Sequence, residues 1–160
     1  MDIPLPRSLM HRNTRHGFTM IELLIVIMTV AILTAVAYPR FARSVSAQAV
    51  SAASTVAAAD LEAAFSLAAR TRRPMVYACD ASLRRCRVTD QATGAVRSER
   101  LYDRTSGFEV TTLAWAPQNS GQAVVIGSSG LATQGFSIIL SHGASTKRVV
   151  VLRSGLIRIN

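Results

Sequence analysis

A long apolar segment near the start of the chain constrains the fold most strongly. Glu22 is the only charged residue among the 21 residues from Phe18 to Tyr38. In a helix, which rises about 1.5 Å per residue, this segment reaches about 30 Å, the thickness of the hydrocarbon core of a bilayer. A carboxylate within such a helix is costly and usually has a functional role, so we expect Glu22 to have a partner.

The residues before this segment are polar and basic. Residues 1–17 contain three arginines and two of the three histidines of the chain, whereas two arginines, Arg40 and Arg43, follow the far end. Basic residues accumulate on the cytoplasmic side of membrane helices. We therefore expect the N-terminus in the cytoplasm and the C-terminal domain in the periplasm or outside the cell.

A secretory signal or a plain membrane anchor explains the apolar segment less well. A secretory signal ends in small residues at a cleavage site of the A-x-A type. Ala31, Ala35 and Ala37 could offer such a site, but the apolar run before them is longer than usual and contains Glu22. A plain anchor has no use for Glu22, which costs roughly 1–3 kcal/mol in lipid, depending on its depth.

The stretch GFTMIELLIVIMTVAILTAVAYPRF resembles the N-terminus of type IV pilins and type II secretion pseudopilins. In that family a prepilin peptidase cuts after the glycine and methylates the new N-terminus, and the apolar helix is retained. The resemblance implies cleavage between Gly17 and Phe18 and N-methylation of Phe18. It also implies that Glu22 acts in assembly, opposite the N-terminal amine of a neighbouring subunit, and that Pro39 loosens the helix. The expected location is the bacterial inner membrane, as a single-pass protein, and then a pilus or pseudopilus.

An alanine-rich segment continues the helix. Residues 40–71 contain neither glycine nor proline, so we expect one helix from about Phe18 to about Thr71, interrupted only at Pro39. An apolar stripe at three- and four-residue steps is expected to cover a sheet. The stripe consists of Val45, Ala49, Ala52, Val56, Ala59 and Ala63. A coiled coil is the alternative, but alanine is too small to hold its seam.

After Pro74 the chain consists of short β-branched runs separated by glycine and polar residues. The predicted strands are Met75–Cys79, Cys86–Thr89, Phe108–Leu113, Ala123–Ile126, Phe136–Leu140, Arg148–Leu152 and Ile157–Ile159. Strands that follow one long helix indicate an α+β domain with an antiparallel sheet.

The predicted organisation has four parts, which together form the type IV pilin fold that the resemblance implies. Residues 1–17 are a leader that is removed, and residues 18–39 are a transmembrane or filament-core helix. Residues 40–71 continue that helix as an amphipathic segment. Residues 72–160 form a β-rich globular domain.

Cys79 and Cys86 are the only cysteines, and six residues separate them. A disulfide that closes a hairpin in an oxidising compartment is the favoured interpretation. A metal site would need two further ligands, which the histidines do not supply, because two of the three lie in the leader. A redox pair more often has C-x-x-C spacing. No metal or other cofactor is expected.

The sequence contains no catalytic constellation, and we predict that the protein is not an enzyme. His142 is the only histidine after the leader and is most simply a turn residue. The segment Gly127–Gly130 lacks the lysine and the helix of a phosphate-binding loop, so it also indicates a turn.

Arginine accounts for 17 of the 18 basic residues, and the side chains after the leader carry a balance of +7. Such a balance favours anionic partners, and arginine suits bidentate contact with phosphate. The alternative is a solvated basic face whose arginines pair with acidic neighbours. The candidate neighbours are Glu99, Asp103 and Glu109.

The second half of the chain resembles the GspH/FimT-type minor pilins and pseudopilins. The cysteine pair after the long helix, the glycine-punctuated strands and the ending VVVLRSGLIR support this resemblance. Some members of the pilus branch bind DNA during natural transformation through a C-terminal Gly-Arg-x-Arg stretch. Gly155 and Arg158 match that pattern, but Leu156 occupies the position of the first arginine. The candidate DNA contacts are Lys147, Arg148, Arg153 and Arg158.

The expected function is that of a minor type IV pilin at or near the pilus tip, which supports pilus assembly. DNA uptake is a separate hypothesis of a different class, and a minor pseudopilin of a type II secretion system is the alternative within the same superfamily. The expected partners are a prepilin peptidase, other pilins or pseudopilins in a filament, the inner membrane and double-stranded DNA.

Overall fold

The computed structural model describes residues 18–118 and 123–160, and these consist mainly of one long helix followed by eight strands. The helix, α1, runs from Met20 to Thr71. The strands are β1 Met75–Asp80, β2 Arg85–Asp90, β3 Val96–Leu101, β4 Thr112–Pro117, β5 Val124–Ile126, β6 Phe136–His142, β7 Ser145–Val151 and β8 Ile157–Ile159. A short 3₁₀ turn at Arg104–Ser106 lies between β3 and β4. The predicted α+β class is confirmed, and the predicted leader lies outside the described residues.

The chain divides into two compact units between Tyr38 and Pro39. In the first unit the described residues are the start of α1, and their side chains are exposed. By length and composition alone, α1 qualifies as a membrane-spanning helix, and its apolar window is not buried by the rest of the protein.

In the second unit α1 packs against the β-domain through one face rich in small residues. The buried residues of that face are Val50, Ala53, Ser54, Ala57, Leu61, Ala64, Phe65 and Ala68. The stripe predicted from the sequence was wrong in phase, because Ala52, Ala59 and Ala63 are exposed. Alanines surround the helix here and favour no particular face. The large side chains of Leu61 and Phe65 determine which face is buried.

Two four-stranded antiparallel sheets form the β-domain, where the sequence predicted one. Sheet A has the strand order β3-β2-β1-β5, and sheet B has the order β4-β6-β7-β8. Their inner faces meet in a shared core, in which the ring of Tyr77 on sheet A lies 5.7 Å from the rings of Trp115 and Phe136 on sheet B. The same core contains the buried face of α1.

Two strand predictions differ most from the structure, and β7 begins three residues before the predicted Arg148. Strand β3, an edge strand with mostly exposed residues, was not predicted. The predicted strand Phe108–Leu113 was displaced, because the actual strand β4 begins at Thr112 and extends to Pro117. Phe108 instead follows the 3₁₀ turn and contacts the ring of Tyr102, with 5.7 Å between the centroids.

Candidate functional site

The start of α1 has the residue pattern of a capping box, with Thr19 at the cap and Glu22 three positions later. The Thr19 Oγ1 atom accepts a hydrogen bond from the backbone N–H of Glu22 at 3.3 Å, and the Thr19 carbonyl accepts one from Leu23 at 3.2 Å. Glu22 therefore occupies the third helical position, where the helix dipole stabilises a carboxylate. Phe18 precedes the cap and is 83% exposed. Gly17, on the other side of the predicted cleavage site, lies outside the described residues.

Pro39 lies inside α1, at the residue where the second unit begins. Proline has no N–H to donate, so the carbonyl of Ala35 loses its intrahelical partner. The hydroxyl of Thr34 donates to the carbonyl of Val30 at 2.7 Å, in the turn just before. Such back-bonding is associated with bent helices. Loosening of the helix at Pro39 remains a prediction.

The two cysteines form the predicted disulfide. Cys79 of β1 and Cys86 of β2 lie directly opposite each other, with 4.0 Å between their Cα atoms and an S–S bond of 2.02 Å. The bond closes the turn between the first two strands of sheet A. Across residues 18–118 and 123–160, no group of three or more His, Cys, Asp or Glu side chains is placed to hold a metal ion.

A bidentate ion pair ties the edge strand β3 to the helix. Both Nε and Nη2 of Arg100 donate to the carboxylate of Asp60, with 2.8 Å between Nη2 and Oδ1. The hydrogen bond that Arg100 donates to Asp60 is the main cause that raises the pKa of Arg100. Burial raises the pKa of Tyr102, and the charge of Asp60 raises it further. The pKa of Tyr77 is also raised, again mainly by burial.

Asp90 at the end of β2 is a buried carboxylate that joins three segments of the chain. Its Oδ1 accepts the backbone N–H groups of Ala92 at 3.0 Å and Thr93 at 3.3 Å. Its Oδ2 accepts a hydrogen bond from Arg97 of β3 at 3.0 Å and lies 3.6 Å from Nη1 of Arg73, just after the helix. The hydrogen bond from Arg97 is the largest cause that lowers the pKa of Asp90, against the opposing effect of burial.

Several other arginines are paired with carboxylates on the surface. Arg85 and Arg87 share Glu99, at 3.3 Å and 3.0 Å, and Arg104 lies 3.4 Å from Glu109. Both glutamates are among the partners predicted from the sequence. Asp103 was also predicted as a partner, but its carboxylate caps the 3₁₀ turn by accepting the N–H of Ser106 at 3.0 Å. The ion pairs of Asp60 and Asp90, which join distant parts of the fold, were not predicted.

The four candidate DNA contacts do not form one cluster. Arg148 and Arg158 are exposed on the outer face of sheet B, on adjacent strands, because Arg158 is opposite Val150 in the register. Lys147 is half-buried and points to the other face of its strand, since successive residues alternate. Arg153 lies in the turn after β7, where its Nε is 3.4 Å from the carbonyl of Ala132.

Comparison with known protein families gives two matches. Residues 12–38 match the model of the prokaryotic N-terminal methylation motif. Residues 53–155, more than half of the chain, match the model of the type II transport protein GspH. No curated protein matches the sequence.

Two solved structures have a similar fold. One is the crystal structure of the type IV minor pilin FimU from Pseudomonas aeruginosa, with 15% identity and a TM-score of 0.54; the alignment covers 69% of this chain and 87% of FimU. The other is the minor pseudopilin EpsH from the type 2 secretion system of Vibrio cholerae, with 16% identity and a TM-score of 0.52. That alignment covers 69% of this chain and 95% of EpsH. These similarities confirm the predicted fold, one long helix packed on antiparallel sheets.

Proposed function

The chain belongs to the type II transport protein GspH family, and from this premise we propose that it is a minor subunit of a type IV pilus, at or near the filament tip. As a member of this family with a prepilin motif, it is a minor pilin or pseudopilin, a structural component that a prepilin peptidase processes and that assembles with other pilins. A minor pseudopilin of a type II secretion system is the alternative.

The observation that carries the proposal is the position of Glu22. It is the only charged residue in the apolar first part of α1, and it is held in the first turn by the Thr19 cap. Cleavage before Phe18 would place the new α-amine about one helical turn from this carboxylate. A carboxylate in an apolar filament core is stable only when it is paired, and an amine of a neighbouring subunit supplies that charge.

The test replaces Glu22 and measures incorporation into filaments. Glu22→Ala is expected to insert in the membrane and to be cleaved normally, but to be strongly depleted from sheared pili. Glu22→Asp keeps the charge and is expected to retain part of the incorporation. Normal incorporation of Glu22→Ala would refute the pairing.

A separate variant, Gly17→Val, tests the processing and is expected to remain at precursor mass. A mature wild-type protein whose mass does not correspond to a chain beginning at methylated Phe18 would contradict the processing proposal.

The choice between a pilus and a secretion system rests on features of the N-terminal sequence, because the two solved structures resemble the chain about equally well. The basic residues before Gly17 and the TVAILTAVAYPRF end of the apolar segment favour the pilus. Deletion of the gene is expected to reduce surface pili and leave secretion of exoproteins unchanged. Lost secretion with normal pili would assign the chain to a pseudopilus. Genes for pilus components next to it would agree with the first outcome.

The proposed topology has the N-terminus in the cytoplasm and the β-domain in the periplasm. The apolar helix and the prepilin motif fit an inner-membrane anchor, and the three leader arginines support this orientation. Protease added to spheroplasts is expected to digest the β-domain. A β-domain that is protected until the membrane is lysed would reverse the topology.

DNA binding is a second candidate function, favoured by the placement of Arg148 and Arg158. Diagonal neighbours on adjacent strands have Cα atoms about 7–8 Å apart, so both guanidinium groups can contact one phosphate backbone. Contacts of this kind are tolerant of sequence and weaken steeply with salt.

A salt titration of the detergent-solubilised mature protein against a random duplex tests this function. Arg148→Ala, Arg153→Ala and Arg158→Ala are each expected to lower the log–log salt slope by about one, and Leu156→Arg is expected to strengthen binding. Arg70→Ala, an equal charge change at the end of α1, is the control. Salt-independent binding, or wild-type affinity in the Arg153→Ala/Arg158→Ala double variant, would remove this surface from consideration.

A further inference from the structure

A small cleft lies between the two sheets at one end of the β-domain. It encloses about 200 Å³ and is lined by Arg84, Arg104, Glu109, Val110, Thr111 and His142. Three of these side chains are basic and one is acidic. The cleft plays no part in the assembly function proposed above.

The basic groups of the cleft are only partly satisfied. Arg84 donates from Nη1 to the carbonyl of Thr111 at a long 3.4 Å, and its Nε is buried without a hydrogen-bond partner among the described residues. Arg104 has an 86% exposed side chain and approaches Glu109 no closer than 3.4 Å. His142 lies 3.8 Å from the same carboxylate, and its Nδ1 is 3.0 Å from Oγ1 of Thr111. A buried donor without an acceptor costs free energy, so an anion with several oxygens fits this group better than Glu109 does.

The backbone around Arg84 holds it in this position. Arg84 has a φ of 48°, a left-handed conformation that a non-glycine residue seldom adopts. Its carbonyl accepts the N–H of Tyr102 at 2.8 Å, and its N–H donates to Ala81 at 3.4 Å. Strained backbone positions of this kind cluster at binding sites. The conformation of Arg84 therefore supports a binding role for its side chain.

The cleft lies beside the part of α1 that follows the apolar segment. Gly143, next to His142, packs against Ser46: a Cβ on Gly143 would lie 3.9 Å from the Ser46 side chain. Ser46 is about 10 Å along the helix from Pro39, and it donates a hydrogen bond to the carbonyl of Arg43. Arg40 and Arg43 precede Ser46 in the same helix by six and three positions, and both side chains are exposed.

We propose that these five side chains form a binding surface for the phosphate groups of anionic phospholipids. The surface, here called the entry surface, consists of Arg40, Arg43, Arg84, Arg104 and His142. Its four arginines outnumber the two nearby carboxylates, Glu109 and Asp103, and Asp103 is already engaged in capping the 3₁₀ turn. Basic residues next to a membrane segment attract anionic headgroups. This proposal rests on the membrane anchorage proposed above.

Lipid phosphate is favoured over the phosphate of nucleic acid because of where the surface lies. Arg40 and Arg43 follow the apolar segment within about 8 Å of helix rise from Tyr38. Any membrane that holds this segment therefore places its headgroups at the same point along the chain. Binding keeps the β-domain at the bilayer while the subunit awaits assembly, and the surface is released when the subunit enters a filament.

Hydrogen exchange of the full-length protein in nanodiscs tests the proposal. Anchorage is first checked by co-purification with the disc, which fails only if the membrane proposal itself is wrong. Exchange is then compared in phosphatidylglycerol and phosphatidylcholine discs, and in phosphatidylcholine discs with inorganic phosphate added. We expect the peptides that cover residues 104–111 and 142–145 to be protected in phosphatidylglycerol only, with protection lost at high salt.

Matched variants assign the effect to the entry surface. Arg40→Gln, Arg43→Gln and Arg104→Gln are each expected to reduce the docked-to-undocked ratio about fivefold, which corresponds to about 1 kcal/mol for each basic residue near an anionic surface. Arg70→Gln, an equal charge change about 40 Å further along the helix, is expected to change nothing. Equal protection in both lipids, or equal effects of Arg70→Gln and Arg43→Gln, would overturn the proposal. Protection by inorganic phosphate would make the cleft a free-anion site, and protection by a short duplex but not by lipid would assign it to nucleic acid.

Discussion

The backbone of Gly155 lies directly against the ring of Phe65. A Cβ atom on Gly155 would be 3.2 Å from Cδ1 of Phe65, and the glycine has a φ of 82°. The contact joins the turn between β7 and β8 to the buried face of α1. Gly155 matches the glycine of the Gly-Arg-x-Arg pattern. In this chain it lets the turn approach the helix.

Gly155→Ala is therefore expected to destabilise the β-domain by about 2–3 kcal/mol. The left-handed conformation alone costs about 1–2 kcal/mol for a non-glycine residue, and the contact with Phe65 adds to it. Gly130→Ala is a matched control, because Gly130 has a φ of 75° but nothing within 4 Å of its Cβ position. Urea unfolding of the 40–160 fragment measures both. Equal losses in the two variants would show that the Phe65 contact is not tight.

The ion pair between Asp60 and Arg100 is expected to stabilise the attachment of β3 to α1. Arg100→Lys keeps the charge but loses the bidentate geometry, so we expect a loss of about 1 kcal/mol, limited because the Arg100 side chain is 41% exposed. Arg87→Lys, at a more ordinary surface pair, is the control and is expected to cost less. A double-mutant cycle with Asp60→Asn measures the coupling, and a coupling near zero would contradict this role.

Asp90 is expected to make stability depend on pH in the acid range. Its pKa in the folded protein is lowered from the ordinary value of 3.8, so its contribution is present above that value and is lost as the pH falls through the folded pKa. Asp90→Asn should therefore be less stable than wild type at pH 7, and the difference should shrink as the pH falls below 3.8. Denaturant midpoints measured from pH 7 downwards give the difference. A gap that stays constant with pH would show that the carboxylate charge is not responsible.

The disulfide is expected to contribute about 2–3 kcal/mol by restricting the unfolded chain. Its loop is short, with a sequence separation of 7, so the value lies in the lower part of the usual range. The Cys79→Ser/Cys86→Ser variant and the reduced wild type should lose the same amount in urea unfolding. The oxidised 40–160 fragment should also weigh two hydrogens less than its reduced form. Two freely alkylated thiols in periplasmic material would contradict the bridge.

The parts of the fold with a strong local signal were predictable from the sequence. The helix was predicted because its apolar and alanine-rich segments contain a single breaker, Pro39. The hairpin of β1 and β2 was predicted because its cysteines mark the two strands. The strand β3 has no such signal, since VRSERL is an exposed, charged edge strand that sheet pairing alone stabilises.

The candidate site was less predictable, because its contacts join residues that are far apart in the chain. Asp60 and Arg100 are separated by 40 positions, and nothing near Asp60 indicates a partner. The phase of the helix was missed for a related reason, since only Leu61 and Phe65 distinguish the buried face. A prediction that gave the bulky residues more weight than the alanines would have identified the buried face correctly. The surface acids Glu99 and Glu109 were identified because charge patterning alone suggests such pairs.

The two sheets draw on different stretches of the chain, and this sets the order in which they can form during synthesis. All four strands of sheet A are present once Ile126 has been made, whereas sheet B needs Ile159, which comes 33 positions later. At about 5–20 residues per second this delay is roughly 2–7 s. During that interval the helix can already dock on sheet A, while the half that completes the core is still emerging. A chaperone that shields apolar strands would find its target in β4, because Thr112–Pro117 has no partner strand until β6 begins at Phe136.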